Sequence, residues 1–193
     1  MILSAPSHVH GTIVHDIIPG MWKDVYVAEG TLGKGLFTAG KFLKGQRIGV
    51  FEGPIIDFAA AVKKGDKQCY PLQIANDQYI DLTEPGCFAN HSCEPNAGIK
   101  NDIELVALTN IPEGTEIRYD YSTTMDEDFF TMPCRCGSST CRSVVTDFKL
   151  LSPALQNKYI RLGLVMSFII HRMPHPSGNG SKPVSAASQN SSP

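Results

Sequence analysis

The amino-acid sequence predicts a mainly β protein built from short strands. Apolar runs rich in β-branched and aromatic residues recur through residues 23–121, and glycine-containing turns separate most of them. Long helices do not alternate with these runs, so the sequence lacks the βαβ pattern of a doubly wound sheet. The length of 193 residues and the hydrophobic content of 42% favour one globular core with appendages.

The predicted elements follow one another in short steps. Strands are expected over Val25–Ala28, Leu36–Thr38, Arg47–Phe51, Cys69–Ile74, Gln78–Leu82, Ile103–Leu108 and Glu116–Tyr121. A short helix is expected over Phe58–Lys64, because Gly65 stops it. A turn is expected over Glu29–Gly35, which contains Gly33-Lys34-Gly35, as either an ordinary hairpin turn or a loop where a ligand meets the backbone.

Helical signals and a polar tail end the chain. Ser152 is a predicted N-cap, Pro153 fits the first helical position, and Gly163 can end this helix. The apolar run Ile160–Ile170 is shorter than the roughly 20 residues of a membrane span, so it predicts a buried helix or a helix pair. From Pro174 onward, the Ser, Gly, Asn and Pro content predicts a disordered tail.

The charge and composition of the chain argue against nucleic-acid and membrane partners. The net charge of −2, the pI near 6.3 and the lack of a Lys/Arg run give no electrostatic support for direct nucleic-acid binding. The N-terminus lacks the charged and apolar regions of a signal peptide, and no segment predicts a membrane partner. We therefore expect an intracellular protein of the nucleus or cytoplasm. His8, His10 and His15 are interpreted as surface histidines of an N-terminal arm.

An unusual heptad lies mid-chain at residues 90–96, with the sequence NHSCEPN. Asn and Ser divert backbone hydrogen bonds into local turns and Pro removes a donor, so the heptad predicts an irregular loop. Cys134, Cys136 and Cys141 lie within eight residues, which predicts a zinc site that lacks one ligand. Cys93 in the heptad is the natural candidate for that ligand, and the alternative is a set of reduced structural cysteines.

Four sequence features occur together and in order: the Gly-x-Gly turn at 33–35, the heptad, the Tyr119-Asp120-Tyr121 sequence and the C-x-C-x₄-C segment. In this combination the chain resembles the SET-domain protein lysine methyltransferases that carry a post-SET zinc segment, over roughly residues 23–142. The resemblance implies a SET-domain fold of small curved β-sheets with a pseudoknot crossing, a rare exception to unthreaded topology. It also implies S-adenosylmethionine-dependent methylation of a lysine in a histone tail or another basic protein segment.

The resemblance assigns roles to individual positions. Tyr121 matches the catalytic tyrosine, Tyr70 an aromatic residue of the lysine channel, and Tyr119 the position that influences how many methyl groups are added. The implied cofactor contacts are Lys34, Gly35, Leu36, Asn90, His91 and Tyr121. The implied ligands of a structural zinc ion are Cys93, Cys134, Cys136 and Cys141.

On this basis the chain is expected to divide into five parts. They are an N-terminal arm (1–22), a SET domain (23–124), a post-SET zinc-binding segment (125–143), a C-terminal helical segment packed on the core (144–173) and a disordered tail (174–193). The zinc ion is expected to tie the C-terminal region to the heptad beside one end of the lysine channel.

Two features leave the substrate and the activity open. Cys87 stands where the family usually has an arginine beside the cofactor, so the alternative is a catalytically weak or inactive SET-like protein-binding module. The intact Tyr121 favours the enzyme. The acidic residues Asp126, Glu127 and Asp128 either meet a basic substrate or form a solvated acidic turn.

Overall fold

The computed structural model describes residues 22–65 and 71–174. The predictions for residues 1–21, for Cys69 and Tyr70, and for the tail from residue 175 lie outside the described residues. The described strands are β1 (Val25–Gly30), β2 (Gly33–Thr38), β3 (Arg47–Val50), β4 (Ile55–Ile56), β5 (Leu72–Ala75), β6 (Gln78–Ile80), β7 (Asn90–His91), β8 (Ala97–Lys100), β9 (Glu104–Ala107), β10 (Arg118–Tyr119), β11 (Met132–Pro133) and β12 (Val144–Val145). The described helices are α1 (Phe58–Lys63), α2 (Pro153–Leu162) and α3 (Ser167–Arg172), with 3₁₀ turns at Gly86–Phe88, Tyr121–Thr124 and Phe148–Leu150.

The strands form small sheets, and the predicted mainly β class is confirmed. β1 and β2 form an antiparallel hairpin, β3, β9 and β8 form one three-stranded sheet, and β4, β6 and β5 form another. β11 and β12 pair within the cysteine-rich segment, and β7 pairs with β10 in parallel. The longest strands have six residues, so the sheets bury their apolar faces against one another and against the helices.

The pairing of β7 with β10 brings the heptad against the Tyr-Asp-Tyr sequence. Asn90 lies opposite Arg118 in the parallel register. Asn96, at the end of the heptad, donates from Nδ2 to the Glu116 carbonyl at 2.7 Å and accepts at Oδ1 from the Arg118 N–H at 2.8 Å. The Asn96 side chain thus makes backbone hydrogen bonds that a neighbouring strand would otherwise make. The strand predicted over Glu116–Tyr121 is therefore regular only in β10.

The turn predicted over Glu29–Gly35 is present but shorter than predicted, because residues 33–38 form β2 and the hairpin turn is confined to residues 31–32. Gly33, with a φ of 94°, begins the strand directly after this turn. A Cβ atom at Gly35 would lie 2.6 Å from Glu116 Oε1, so this glycine is required by close packing against a carboxylate.

The core lies between the sheets and the C-terminal helices. Trp22, which the sequence places at the end of the N-terminal arm, is 5% exposed and meets the Phe51 ring at 5.6 Å in an edge-on arrangement. A Cβ atom at Gly49 would lie 2.2 Å from Trp22 Cε3, so only glycine fits beneath this ring. Other fully buried side chains come from most elements: Leu36, Ile48, Leu105, Ile111, Ile117, Phe148, Tyr159 and Met166.

The C-terminal helices pack against this core. Ser152 Oγ accepts from the Leu155 N–H at 3.4 Å at the start of α2, and Gly163 ends the helix with a φ of 64°. The Met166 N–H, just before α3, donates to the Thr123 carbonyl at 3.1 Å and ties this region to a central 3₁₀ turn. The helix start, the helix end and the helix pair predicted here are confirmed. In the described residues, every helix falls short of the length and apolar character that crossing a membrane requires.

Candidate active site and metal centre

Two tyrosines, Tyr119 and Tyr121, meet at the wall of one cavity and are called the tyrosine pair below. Their ring centroids lie 4.8 Å apart, and both rings line a cavity of about 300 Å³. Tyr121 is held at two points, because its hydroxyl donates to the Ala89 carbonyl at 3.0 Å and its N–H donates to His91 Nδ1 at 3.2 Å. The ring that the sequence nominates as catalytic is therefore fixed in orientation beside the cavity.

Tyr119 offers a second hydroxyl at this wall. The residue is 6% exposed, and burial raises the pKa of its phenol well above the ordinary value, so the group stays protonated. Among the described residues, no hydrogen bond is found to the Tyr119 hydroxyl, and the residue lines the cavity, so this hydroxyl can meet a molecule there. Tyr70, the third tyrosine nominated from the sequence, lies outside the described residues.

Asn90 joins two parts of the predicted cofactor site. Its Nδ2 donates to the Lys34 carbonyl at 3.0 Å and to Glu116 Oε1 at 2.8 Å, so both amide hydrogens are bonded to protein. The Arg118 guanidinium donates to the same carboxylate and fixes it in place. Within the described residues the Asn90 Oδ1 accepts no hydrogen bond, which leaves one acceptor for a ligand that carries a donor.

The other predicted cofactor positions of β2 can meet a ligand mainly through the backbone. Gly35 is buried, and Leu36 is fully buried with its carbonyl accepting from the Ile117 N–H at 2.7 Å. The Lys34 side chain is exposed, and its Nζ lies 5.5 Å from the centroid of the Phe88 ring. The lysine ammonium is thus positioned over an aromatic face beside Asn90.

The His91 imidazole faces the cysteines. It is 5% exposed, and burial lowers the pKa of this histidine to about 4, so the ring is neutral near pH 7. Because Nδ1 accepts from the Tyr121 N–H, the ring proton lies on Nε2, which is 3.4 Å from Cys93 Sγ. The side chain of His91 thus links the catalytic candidate Tyr121 to the thiols.

The cysteine thiols converge from the heptad and the C-terminal segment. Among the described residues, the ligand atoms of His91, Cys93, Cys134 and Cys136 all lie within 4.8 Å of one another. Cys141 stands next to this group, since its Sγ lies 3.7 Å from the Cys134 carbonyl oxygen and its thiol contacts the Cys134 thiol. The residue that follows Cys141 donates its N–H to Cys93 Sγ at 3.4 Å. The four cysteines named from the sequence are thus neighbours in the fold.

The thiol geometry fits a zinc ion. Cys93 Sγ and Cys134 Sγ are 3.8 Å apart. A tetrahedral site with Zn–S bonds of about 2.3 Å has sulfur–sulfur edges of about 3.8 Å. His91 Nε2 and the Cys141 thiol are the two candidates for the fourth ligand beside Cys93, Cys134 and Cys136. The donor set therefore suits an ion shared by the heptad and the C-terminal segment.

A buried carboxylate between the tyrosine pair links the site to the C-terminal region. Asp120 is 2% exposed, and the Arg142 guanidinium donates one hydrogen bond of 2.7 Å to each of its oxygens. The Tyr159 hydroxyl of α2 donates to Asp120 Oδ2 at 2.7 Å, and the Ser122 N–H donates to Oδ1 at 3.1 Å. Burial disfavours the charge on Arg142, yet the hydrogen bonds to Asp120 raise the pKa of Arg142, so the guanidinium stays charged.

The three acidic residues that precede the cysteine segment separate into two kinds. Asp126 and Asp128 both form ion pairs with Lys149, at 3.5 Å and 2.5 Å. Glu127 instead lines the cavity of the tyrosine pair, and its carboxylate accepts a hydrogen bond from the Tyr79 hydroxyl. Neither alternative for this acidic stretch therefore applies to all three residues.

The sequence did not reveal the residues that support the site through hydrogen bonds and ion pairs. For two of them the position in the chain was a usable clue, because Asp120 lies between the tyrosines and Arg142 directly follows Cys141. Cys87, which replaces the family's arginine, lines the cavity and is disulfide-bonded. The supporting residues that the sequence analysis did not name are Tyr79, Glu116, Arg118, Arg142 and, in a role beyond core packing, Tyr159.

The comparisons with known proteins point to one family. The family model of the SET domain matches residues 33–122. Histone-lysine N-methyltransferase 2D of Homo sapiens is 30% identical over 139 residues, which cover 63% of this chain and 2% of that protein. Histone-lysine N-methyltransferase trithorax of Drosophila virilis is 31% identical over 126 residues, covering 57% of this chain and 3% of that protein. The H3 lysine-36 specific histone-lysine N-methyltransferase of Candida albicans is 34% identical over 104 residues, which cover 46% of this chain and 12% of that protein.

This chain therefore spans a small fraction of the length of those relatives. Among solved structures, the crystal structure of the methyltransferase domain of human histone-lysine N-methyltransferase SETMAR is similar with a TM-score of 0.49 and 23% identity, over 61% of this chain and 55% of that chain. The matched residues 33–122 run from the start of β2 past the tyrosine pair and include the whole heptad. Residues 33–122 thus form a SET domain that is similar in sequence to those of histone-lysine methyltransferases.

Proposed function

We propose that the protein is a protein-lysine N-methyltransferase that uses S-adenosylmethionine. The observation that carries this proposal is the shared cavity wall of the tyrosine pair, directly beside the pairing of the heptad with β10. The cavity, whose tyrosines suit an amine, therefore lies close to Asn90 Oδ1, an acceptor that suits an ammonium group of a ligand. The similarity to histone-lysine N-methyltransferases favours histones as the protein substrate, and a nuclear or cytoplasmic location fits that substrate class.

The Asn90 amide supports binding of the amino-acid end of the cofactor. Its Oδ1 is the atom left available by the bonds to Lys34 and Glu116, and an ammonium group is a donor that it would accept from. The backbone of residues 34–36 and that of His91 border the same place. When bound, S-adenosylmethionine supplies a methyl group carried on a positively charged sulfur.

The cavity of the tyrosine pair supports the reactive form of a lysine side chain. An exposed lysine amine has a pKa near 10.4, so its neutral form costs roughly 4.6 kcal/mol at pH 7. Apolar lining from Leu72, Leu82 and Ala89 disfavours the ammonium form and lowers this cost. The Tyr121 hydroxyl donates its proton to the Ala89 carbonyl, so its oxygen presents lone pairs that orient the amine.

The zinc ion has a structural role in this proposal. Thiolates of Cys93, Cys134, Cys136 and Cys141 would complete a tetrahedral sphere and leave no position for water. We assign residues 125–143 to this zinc-binding segment, 23–124 to the SET domain and 144–173 to the helical segment packed against them.

Methyl transfer from isotopically labelled S-adenosylmethionine tests the function. The zinc-loaded protein is incubated with histone octamers, free histones and a cell lysate, and mass spectrometry locates the label. We expect label on lysine side chains within a basic protein segment. No label in any sample, together with no cofactor binding in calorimetry, would reject the enzyme and favour a catalytically inactive protein-binding module.

Removal of zinc is expected to abolish methyl transfer, because the ion joins the heptad to the segment beside Asp120. The protein is dialysed against a chelator, its metal content is measured by mass spectrometry, and its rate is compared before and after zinc is restored. X-ray absorption of the loaded protein is expected to give four sulfur ligands. Full turnover by a sample verified as metal-free would refute this role.

The Tyr119 hydroxyl is expected to limit product to the mono- and dimethyl forms, because it occupies space and can hydrogen-bond the amine in the cavity. Tyr119→Phe is expected to shift the product toward higher methylation. Mass spectrometry of a methylated peptide at full conversion measures the distribution. A mainly trimethylated product from the unsubstituted protein would contradict this assignment.

A further inference from the structure

The cavity of the tyrosine pair continues to a second aromatic group, which we call the aromatic mouth (Phe58, Tyr79 and Phe129). The Phe58 ring lies 5.2 Å from the Phe129 ring at an interplanar angle of 87°, and 6.2 Å from the Tyr79 ring. Among the described residues, no ring contact joins the aromatic mouth to the tyrosine pair. The cavity therefore has two separate aromatic sites.

The aromatic mouth opens to solvent at Phe129, which is 60% exposed, while its Tyr79 ring is 4% exposed and lies deeper in the cavity. Val62, which also lines the cavity, is 42% exposed. Adjacent exposed apolar side chains on a polar protein surface indicate a binding surface. A chain that places one side chain on the tyrosine pair would therefore pass over the mouth.

The Glu127 carboxylate places a negative charge at the mouth. The Glu127 carboxylate accepts from the Tyr79 hydroxyl, and within the described residues no lysine or arginine pairs with it. The neighbouring Asp126 and Asp128 differ, since both pair with Lys149. Burial raises the pKa of Glu127, which means that its charged form is incompletely solvated and would gain from a cation.

We propose that Glu127 and the aromatic mouth form a second subsite, which binds a lysine or arginine side chain of the substrate near the lysine that is methylated. Aromatic faces attract a cation within about 6 Å of the ring centroid, and the exposed Phe129 ring lines the same cavity as Glu127. The carboxylate supplies a charge-assisted hydrogen bond. An apolar residue would leave Glu127 without a cation, and an acidic residue would be repelled.

This inference rests on the proposed methyltransferase function and adds a sequence preference to it. The substrate is expected to contain a basic residue at one fixed distance along the chain from its target lysine. Glu127 has a positioning and specificity role in this scheme, because it touches the flanking residue and not the reacting amine.

A randomised peptide library tests the subsite. Peptides with one central lysine and random flanking residues are incubated with the zinc-loaded protein and labelled S-adenosylmethionine, and the labelled peptides are sequenced. We expect Lys and Arg to be enriched at one flanking position. Glu127→Gln keeps an acceptor for the Tyr79 hydroxyl but removes the charge, and it is expected to reduce that enrichment at least fivefold.

Asp128→Asn is the matched control, because it removes the same charge one position away from an exposed side chain. It is expected to leave the enrichment unchanged. Thermal unfolding of all three proteins verifies that each is folded. Enrichment that survives in Glu127→Gln, or that falls equally in Asp128→Asn, would overturn the subsite.

A binding measurement separates failure of the subsite from failure of the proposed function. The same library, attached to beads, is incubated with fluorescent protein without cofactor, and the bound beads are sequenced. Basic enrichment that depends on Glu127, without methylation in solution, would retain the subsite and reject the enzyme. Methylation without any basic enrichment in either assay would retain the enzyme and reject the subsite.

Discussion

Replacing Tyr121 by phenylalanine is expected to lower turnover by about 100-fold or more, because a small loss of orientation at a reacting group carries a penalty of that size. The substitution removes the hydroxyl that is anchored on the Ala89 carbonyl and leaves the ring and its backbone bond to His91 in place. Initial rates with labelled cofactor measure the loss. Calorimetry is expected to give nearly the same affinity for S-adenosylmethionine as before.

Tyr26→Phe is the control for this substitution. Tyr26 lies on β1 and stacks on Phe37 at 5.7 Å, and its ring is not among those that line the cavity. Loss of its hydroxyl is therefore expected to leave turnover unchanged. Equal rates for Tyr121→Phe and the unsubstituted protein would remove Tyr121 from the catalytic role.

Arg142→Met is expected to lower the free energy of unfolding by about 3–5 kcal/mol, since it leaves a buried carboxylate without its cation. The Asp120 side chain is 1% exposed, and both of its oxygens accept from the Arg142 guanidinium. Methionine replaces the packing of the arginine stem but not its charge. Urea unfolding of the zinc-loaded protein measures the difference.

Arg135→Met is the matched control, because Arg135 lies in the same segment with an exposed side chain. A change within about 0.5 kcal/mol is expected there. Asp120→Asn combined with Arg142→Met is expected to cost less than the sum of the two single changes, since the double variant has no unpaired charge. An Arg142→Met loss no larger than that of Arg135→Met would refute the pairing as a source of stability.

The sequence predicted helix ends and short motifs better than it predicted the long-range contacts that support the site. The helix that starts after Ser152 and ends at Gly163 was predicted correctly, because capping depends on residues that are adjacent in the chain. The heptad and the Tyr-Asp-Tyr sequence indicated the SET domain, because both are short and specific. The turn predicted over Glu29–Gly35 was too long, because Gly35 lies in β2 and provides room for Glu116, a residue 81 positions away.

The remaining site residues depend on contacts that no local pattern encodes. Glu127 looked like one member of an acidic turn, and only the cavity distinguishes it from Asp126 and Asp128. Tyr159 lies on α2, and no local sequence feature indicates that its hydroxyl bonds to a residue 39 positions earlier. Such long-range polar bonds follow from the tertiary arrangement, so sequence periodicity does not reveal them.

The bond from Tyr159 to Asp120 sets the order in which a newly synthesised chain can complete this site. When the ribosome has added the last cysteine, the segment between the tyrosines still lacks the phenol that α2 supplies. At that point residues 33–122, which form the SET domain, have all been translated, but the segment that carries Tyr121 still lacks this support. Truncations and fusions that preserve the site should therefore retain at least residues 22–172, so that Trp22, α2 and α3 remain with the sheets.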